Sequence, residues 1–163
     1  MSGGVWDLEL NELYNQIIVE NSRATWNRHK VEGANVRLEG VNPSCGDDIF
    51  LEMRVKDGIV EDAGFLGDGC AISQASTSMM VDLIKGKTVA EAKRLAATFL
   101  GMIKGENQSE AQLDTLEDAV ALKGVSKMPA RVKCAVLSWH TLEEALDKNE
   151  KGEPMGNGGV TTE

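Results

Sequence analysis

Three cysteines and one aspartate are the side chains of this sequence best suited to chemistry. Cys45 and Asp47 stand two residues apart in "NPSCGDDIF", Cys70 follows "GDG", and Cys134 closes "ARVKC". Deprotonated, a cysteine is both a soft metal ligand and a nucleophile toward sulfur. Residues i and i+2 of an extended segment point the same way with Cα atoms roughly 6–7 Å apart, so Cys45 and Asp47 can face one ion. Three thiolates and one carboxylate would make a closed tetrahedral set of the kind zinc takes. Four formal negatives against a divalent cation leave about −2, which Arg131 or Lys133 would offset. Spacing alone leaves two readings open. No C-x-x-C knuckle is present, with 24 and 63 residues between successive cysteines, and free cysteines are also among the most buried residue types.

Position in the chain adds to the chemistry. Each cysteine is expected at a boundary between elements: Cys45 in the Pro43–Gly46 turn, Cys70 at a helix start, Cys134 near the start of the last long helix. Such boundaries are where groups from distant segments converge. The free N–H groups and dipole of a helix start favour thiolate over thiol, and Cys70 is placed to use them.

The elements that must position these groups follow from periodicity. "DLELNELYNQIIVENSR" spaces Leu10, Leu13, Tyr14, Ile17 and Ile18 as a helix with Asp7 as its cap. "NVRLEGVN" is a short strand. Ile49, Leu51, Met53 and Val55 alternate with Phe50, Glu52, Arg54 and Lys56, Asp57-Gly58 is a hairpin turn pair, and Ile59 to Phe65 return antiparallel. From Cys70 onward the pattern is helical. One helix stops at Gly86. The next starts with the capping box Thr88/Glu91 and ends at Gly105. A shorter acidic helix closes at Gly124, and the last runs from Pro129 to about Lys148. The expected fold class is α+β: a small three-stranded antiparallel sheet with helices packed on one face. Residues 1–148 make a single domain, and the glycine-rich stretch 149–163 is expected to be a disordered tail.

Bulk properties exclude several classes. At 163 residues the chain can bury one core. Lys and Arg total 17 against 26 for Asp and Glu, a formal charge of −9, which repels nucleic-acid backbones and anionic lipid. The start, "MSGGVWDLEL", lacks the basic and apolar regions of a leader, and no apolar run approaches the 18 or so residues of a membrane span. An odd number of cysteines without a leader points to the reducing cytoplasm. "GFLGDGC" lacks the G-x-x-x-x-G-K-[ST] pattern of a phosphate loop; Gly67 and Gly69 are expected to turn the chain tightly so that Cys70 reaches the ion. His29 and His140 are expected at the surface or in packing.

"NPSCGD", "FLGDGCAISQASTSMM" and "MPARVKCA" together resemble the three cysteine motifs of the IscU/NifU N-terminal family of iron–sulfur assembly proteins, over about Leu8 to Leu146. Within that family the chain resembles the SufU type, zinc-dependent sulfurtransferases. It carries an extra segment at about Gly101 to Gly124, and Lys133 stands directly before Cys134 where the scaffold type has histidine. The resemblance implies an IscU-like (SufE-related) fold and zinc held by Cys45, Asp47, Cys70 and Cys134. It also implies sulfur accepted, with Arg131 over the site, from the persulfide of a pyridoxal-phosphate cysteine desulfurase of the SufS type, and passed to a downstream cluster scaffold. Cys45 is expected as the acceptor because its glycine-flanked turn can swing away more easily than a helix start. The alternative it leaves is a scaffold on which a [2Fe–2S] cluster is built by the same four ligands.

Overall fold

The computed structural model describes the backbone of residues 5–152 and 160–161, and side chains from Glu12 onward. Helix α1 (Val5–Arg23) leads into β1 (Val36–Asn42), β2 (Asp47–Lys56) and β3 (Ile59–Asp68), followed by α2 (Ala71–Ile84) and α3 (Val89–Lys104). After these come the short α4 (Glu110–Asp114), a 3₁₀ run at Glu117–Lys127, the long α5 (Pro129–Lys151) and a two-residue strand β4 (Val160–Thr161). Helix α1 begins two residues before the Asp7 expected to cap it.

The sheet differs from expectation. It has four strands in the order β3-β2-β1-β4, and β4 joins β1 in parallel through Gly40↔Val160 and Val41↔Thr161. The sheet is therefore mixed, not purely antiparallel. A two-residue strand has no periodicity to reveal it, and it lies in a stretch whose composition reads as tail. Helix α5 likewise runs to Lys151 with Gly152 left-handed at its end, beyond the expected Lys148; residues 153–159 and 162–163 of the expected tail lie outside the described residues.

The three longer strands follow the alternation. Ile49, Leu51, Met53 and Val55 are buried, and Asp57 and Gly58 both take positive φ in the turn to β3, as a tight primed turn requires. Strand β3 changes its inward parity, from Val60 to Ala63 and Phe65, because the β2–β3 register shifts between Arg54 and Val55; a bulge of this kind rotates the strand by one residue. Helices α2, α3 and α5 supply Met80, Ile84, Phe99, Leu137 and Trp139 to the core, with Phe99 stacked on Trp139 at 4.2 Å between ring centres. Among the described residues no helix is long and apolar enough to cross a membrane.

The acidic helix expected before Gly124 is broken in two. Glu117 sits at φ 49°, which stops α4 and starts the 3₁₀ run. Leu116, Ala119, Leu122 and Val125 are all buried, and their spacing of three is the period at which 3₁₀ side chains eclipse. The core-facing residues thus favour the tighter helix, which the helical reading at 3.6 did not separate. The capping box of α3 forms as expected: the Thr88 hydroxyl accepts from Glu91 N–H, and the Glu91 carboxylate accepts from Thr88 N–H.

Candidate metal centre

Asp47 opens β2 directly opposite Asn42, the last residue of β1, so Pro43 to Gly46 form the loop between them. Cys45 lies in that loop, half-buried, and its main-chain N–H donates to Asn42 O at 3.3 Å. Cys70 is the N-cap of α2 and offers no side-chain cap bond, so its thiol is left for other use. Cys134 sits in the second turn of α5 and is 1% exposed. On α5 it shares a face with Leu137 and Thr141, the residues that meet Gly40 of β1, and this brings its sulfur over the strand ends.

Ligand atoms of Cys45, Asp47 and Cys134 all lie within 4.8 Å of one another. A tetrahedral zinc with Zn–S of about 2.3 Å separates its sulfurs by about 3.8 Å, so a small closure would seat the ion. Cys70 stands outside that triangle yet touches it: its thiol interacts with Cys134, and its main-chain N–H donates to Asp47 Oδ1 at 2.8 Å. The other carboxylate oxygen of Asp47 accepts from Asn42 Nδ2 at 3.2 Å. Gly69 leaves room for this arrangement, since a Cβ there would lie 2.8 Å from Asp47 Oδ1. All three sulfurs are free thiols.

Electrostatics make this a site that asks for a cation. Burial pushes the Cys134 thiol far above the ordinary thiol range, and its contacts with Cys45, Asp47 and Cys70 push it the same way. A thiol held neutral this strongly ionises only beside a positive partner. Arg131 supplies one positive charge: its guanidinium hydrogen-bonds Cys134 and feels the charges of Cys70 and Cys45, which hold its pKa above the usual value. Lys133 instead lines a groove with His140, Glu143 and the β4 residues Val160 and Thr161. His140 pairs with Glu143, and His29 bonds Lys30 O.

In metal-free protein the folded chain binds the Cys134 proton more tightly than the unfolded chain does. That contribution is complete below the ordinary thiol pKa of about 8.5 and is lost as pH rises beyond it, because only the unfolded chain gives up the proton. Metal-free protein should therefore melt at falling temperature from about pH 8 to about pH 10, measured by circular dichroism. Cys134→Ala should flatten that slope, and an unchanged slope would contradict the assignment.

The end of β3, which delivers Cys70, is itself clamped. Gly67, at φ 112°, leaves no room for a side chain: a Cβ there would sit 2.1 Å from Asp48 O. Arg28 donates to Gly67 O at 2.7 Å and to Gln74 Oε1, and lies 4.0 Å from Asp68. Replacing Gly67 with alanine should cost on the order of 3 kcal/mol through strain and a displaced β2 backbone. A urea midpoint that falls with unchanged slope would report it; a midpoint equal to wild type would show that the strand end yields freely.

Asn42 and Arg28 escaped the sequence reading. The signal for Asn42 was available, a polar residue ending an alternating strand inside the quoted "NPSCGD" motif. Arg28 lies in a polar stretch with nothing to mark it.

The family described as NifU-like N terminal domain matches residues 13–135. The zinc-dependent sulfurtransferase SufU of Bacillus subtilis is 42% identical over 147 residues, covering 90% of this chain and 98% of that protein. The iron–sulfur cluster assembly scaffold protein IscU of Thermotoga maritima is 42% identical over 136 residues, covering 83% and 94%. The crystal structure of FiSufU from Fervidobacterium islandicum, described as an iron–sulfur cluster assembly scaffold protein for the SUF system, superposes with a TM-score of 0.77. It is 37% identical and covers 83% of this chain and 98% of that one.

Proposed function

This chain belongs to the NifU-like N-terminal domain family, and from that premise we propose that it is a zinc-dependent sulfurtransferase of iron–sulfur cluster assembly. It accepts persulfide sulfur from a pyridoxal-phosphate cysteine desulfurase of the SufS type and passes it to a downstream cluster scaffold. The observation that carries this reading is the convergence of Cys45, Asp47 and Cys134 within 4.8 Å, with Cys70 bonded to Asp47 and Arg131 beside them. The donor set fits zinc, being rich in thiols with one carboxylate and a cationic neighbour. In this reading Cys45, Asp47, Cys70 and Cys134 hold the ion, which when bound keeps the thiols deprotonated.

The chain's own groups do the rest. Cys45 is the acceptor because its half-buried thiol lies in a loop, whereas Cys70, of similar exposure, is fixed at the N-cap of α2 and Cys134 is buried in α5. Its thiolate attacks the outer sulfur of the donor persulfide. A bond forms between Cys45 Sγ and that sulfur, the donor's S–S bond breaks, and the donor cysteine leaves as thiolate. Arg131 holds a positive charge over the thiols while this exchange proceeds. The segment at about 101–124, here the end of α3, α4 and part of the 3₁₀ run, is the SufU-type insertion in this reading. Three unpaired cysteines suit the cytoplasm.

Relatives named as scaffolds keep a second reading in view, the assembly of a [2Fe–2S] cluster on the same ligands. Protein purified without oxygen separates them. The sulfurtransferase carries about one zinc per chain, little iron and sulfide, and accelerates a cysteine desulfurase. Stoichiometric iron and acid-labile sulfide without acceleration would overturn it.

A further inference from the structure

Asn42 is fully buried at the end of β1, and every polar group it uses faces the centre. Its Nδ2 donates both to Asp47 Oδ2 at 3.2 Å and to Cys134 Sγ at 3.5 Å, and its main-chain carbonyl accepts from Cys45 N–H at 3.3 Å. Among the described residues its Oδ1 is buried without a protein partner. Chemistry fixes this orientation of the amide. Turned over, the carbonyl oxygen would face the Asp47 carboxylate, acceptor against acceptor, and in zinc-loaded protein the Cys134 thiolate as well. The side chain thus leaves one of its own atoms orphaned in order to donate to two of the four prospective ligands, and it gives no side-chain bond to Cys45.

A donor N–H stabilises the charged form of the sulfur it touches and lowers its reactivity. We propose that Asn42 is a positioning residue that divides the thiols by role: its amide retains Cys134 and Asp47 at the ion and leaves Cys45 as the sulfur free to come away. This rests on the zinc–thiolate reading above.

The test treats zinc-loaded, full-length protein with limiting iodoacetamide and identifies the modified cysteine by peptide mass spectrometry. In wild type Cys45 should be modified well before Cys134. In Asn42→Ala the ratio of the two rates should fall by roughly tenfold, about what one net hydrogen bond supplies. Asn42→Ser, which restores one donor, should lie between them. A second readout is the thiolate-to-metal charge-transfer band of the cobalt(II)-substituted protein. It should move to longer wavelength in Asn42→Ala, because a sulfur without its hydrogen bond is the better electron donor; a merely structural role would not produce that shift.

An Asn42→Ala protein that binds zinc yet keeps the wild-type ratio and band would overturn the proposal. So would wild type in which Cys134 is modified first. Should the alanine variant fail to fold, the serine variant and wild type decide by the same two readouts. Failure of the underlying reading looks different: wild type would then bind no zinc or leave desulfurase turnover unchanged, whatever Asn42 does.

Discussion

Cys45→Ala should fold normally and lose all stimulation of the cysteine desulfurase, leaving turnover at the rate of the desulfurase alone. The position makes the two effects separable. Cys45 is half-buried in the four-residue loop between β1 and β2, and it is absent from the hydrophobic core. Truncating it should cost no more than about 0.5 kcal/mol of folding stability in metal-free protein, as for other substitutions away from the core. Activity should vanish because the step requires a sulfur nucleophile able to reach a donor outside the molecule. Cys134 is 1% exposed and hydrogen-bonded by Asn42 and Arg131, and Cys70 is tied to a helix start. The measurement is alanine or sulfide release by the desulfurase at rising concentrations of variant, beside thermal melts. Full stimulation by a folded Cys45→Ala protein would move the acceptor role to another thiol.

Asp47→Ala should release the ion and also weaken the fold. Asp47 is 1% exposed and both carboxylate oxygens are used, one by Cys70 N–H at 2.8 Å and one by Asn42 Nδ2 at 3.2 Å. Alanine removes a proposed ligand and takes an acceptor from two donors at once. Zinc affinity should fall roughly 100-fold or more, since even the loss of an outer partner of a ligand costs 10- to 100-fold. Metal-free stability should fall by about 2 kcal/mol, the usual penalty for a stranded buried donor, partly offset by no longer burying a carboxylate. Asp47→Asn keeps an acceptor for Cys70 N–H but sets its own NH2 against Asn42 Nδ2, so it should recover only part of the stability and none of the affinity. Competition with a chromophoric chelator reads the first quantity and urea unfolding the second. Wild-type zinc affinity in Asp47→Ala would remove Asp47 from the ligand set.

The candidate site was legible in sequence because its residues are few in type and lie at element boundaries. "NPSCGD", "GDGC" and "ARVKC" each mark a turn or helix start, and the structure gathers Cys45, Asp47 and Cys134 while holding Cys70 through Asp47. The strands were legible for a similar reason: Ile49 to Val55 alternate cleanly, and Asp57-Gly58 can do little but turn. Features set by tertiary partners were not. Strand β4 has two residues and exists only through β1. The split of the acidic segment depends on Leu116, Ala119, Leu122 and Val125 reaching the core at a period of three, which differs from a helix by too little to read over ten residues. Asn42 looks like an ordinary turn residue until Cys134, 92 positions away, is brought against it.

The central claim is a single zinc held by three sulfurs and one carboxylate oxygen. X-ray absorption at the zinc edge, on protein purified without oxygen, tests it most directly. Three sulfurs at about 2.3 Å and one oxygen at about 2.0–2.2 Å are expected, with Cys45→Ala dropping the sulfur count to about two. A wild-type spectrum fitted by two or fewer sulfurs, or a sample with iron and sulfide in place of zinc, would contradict the account.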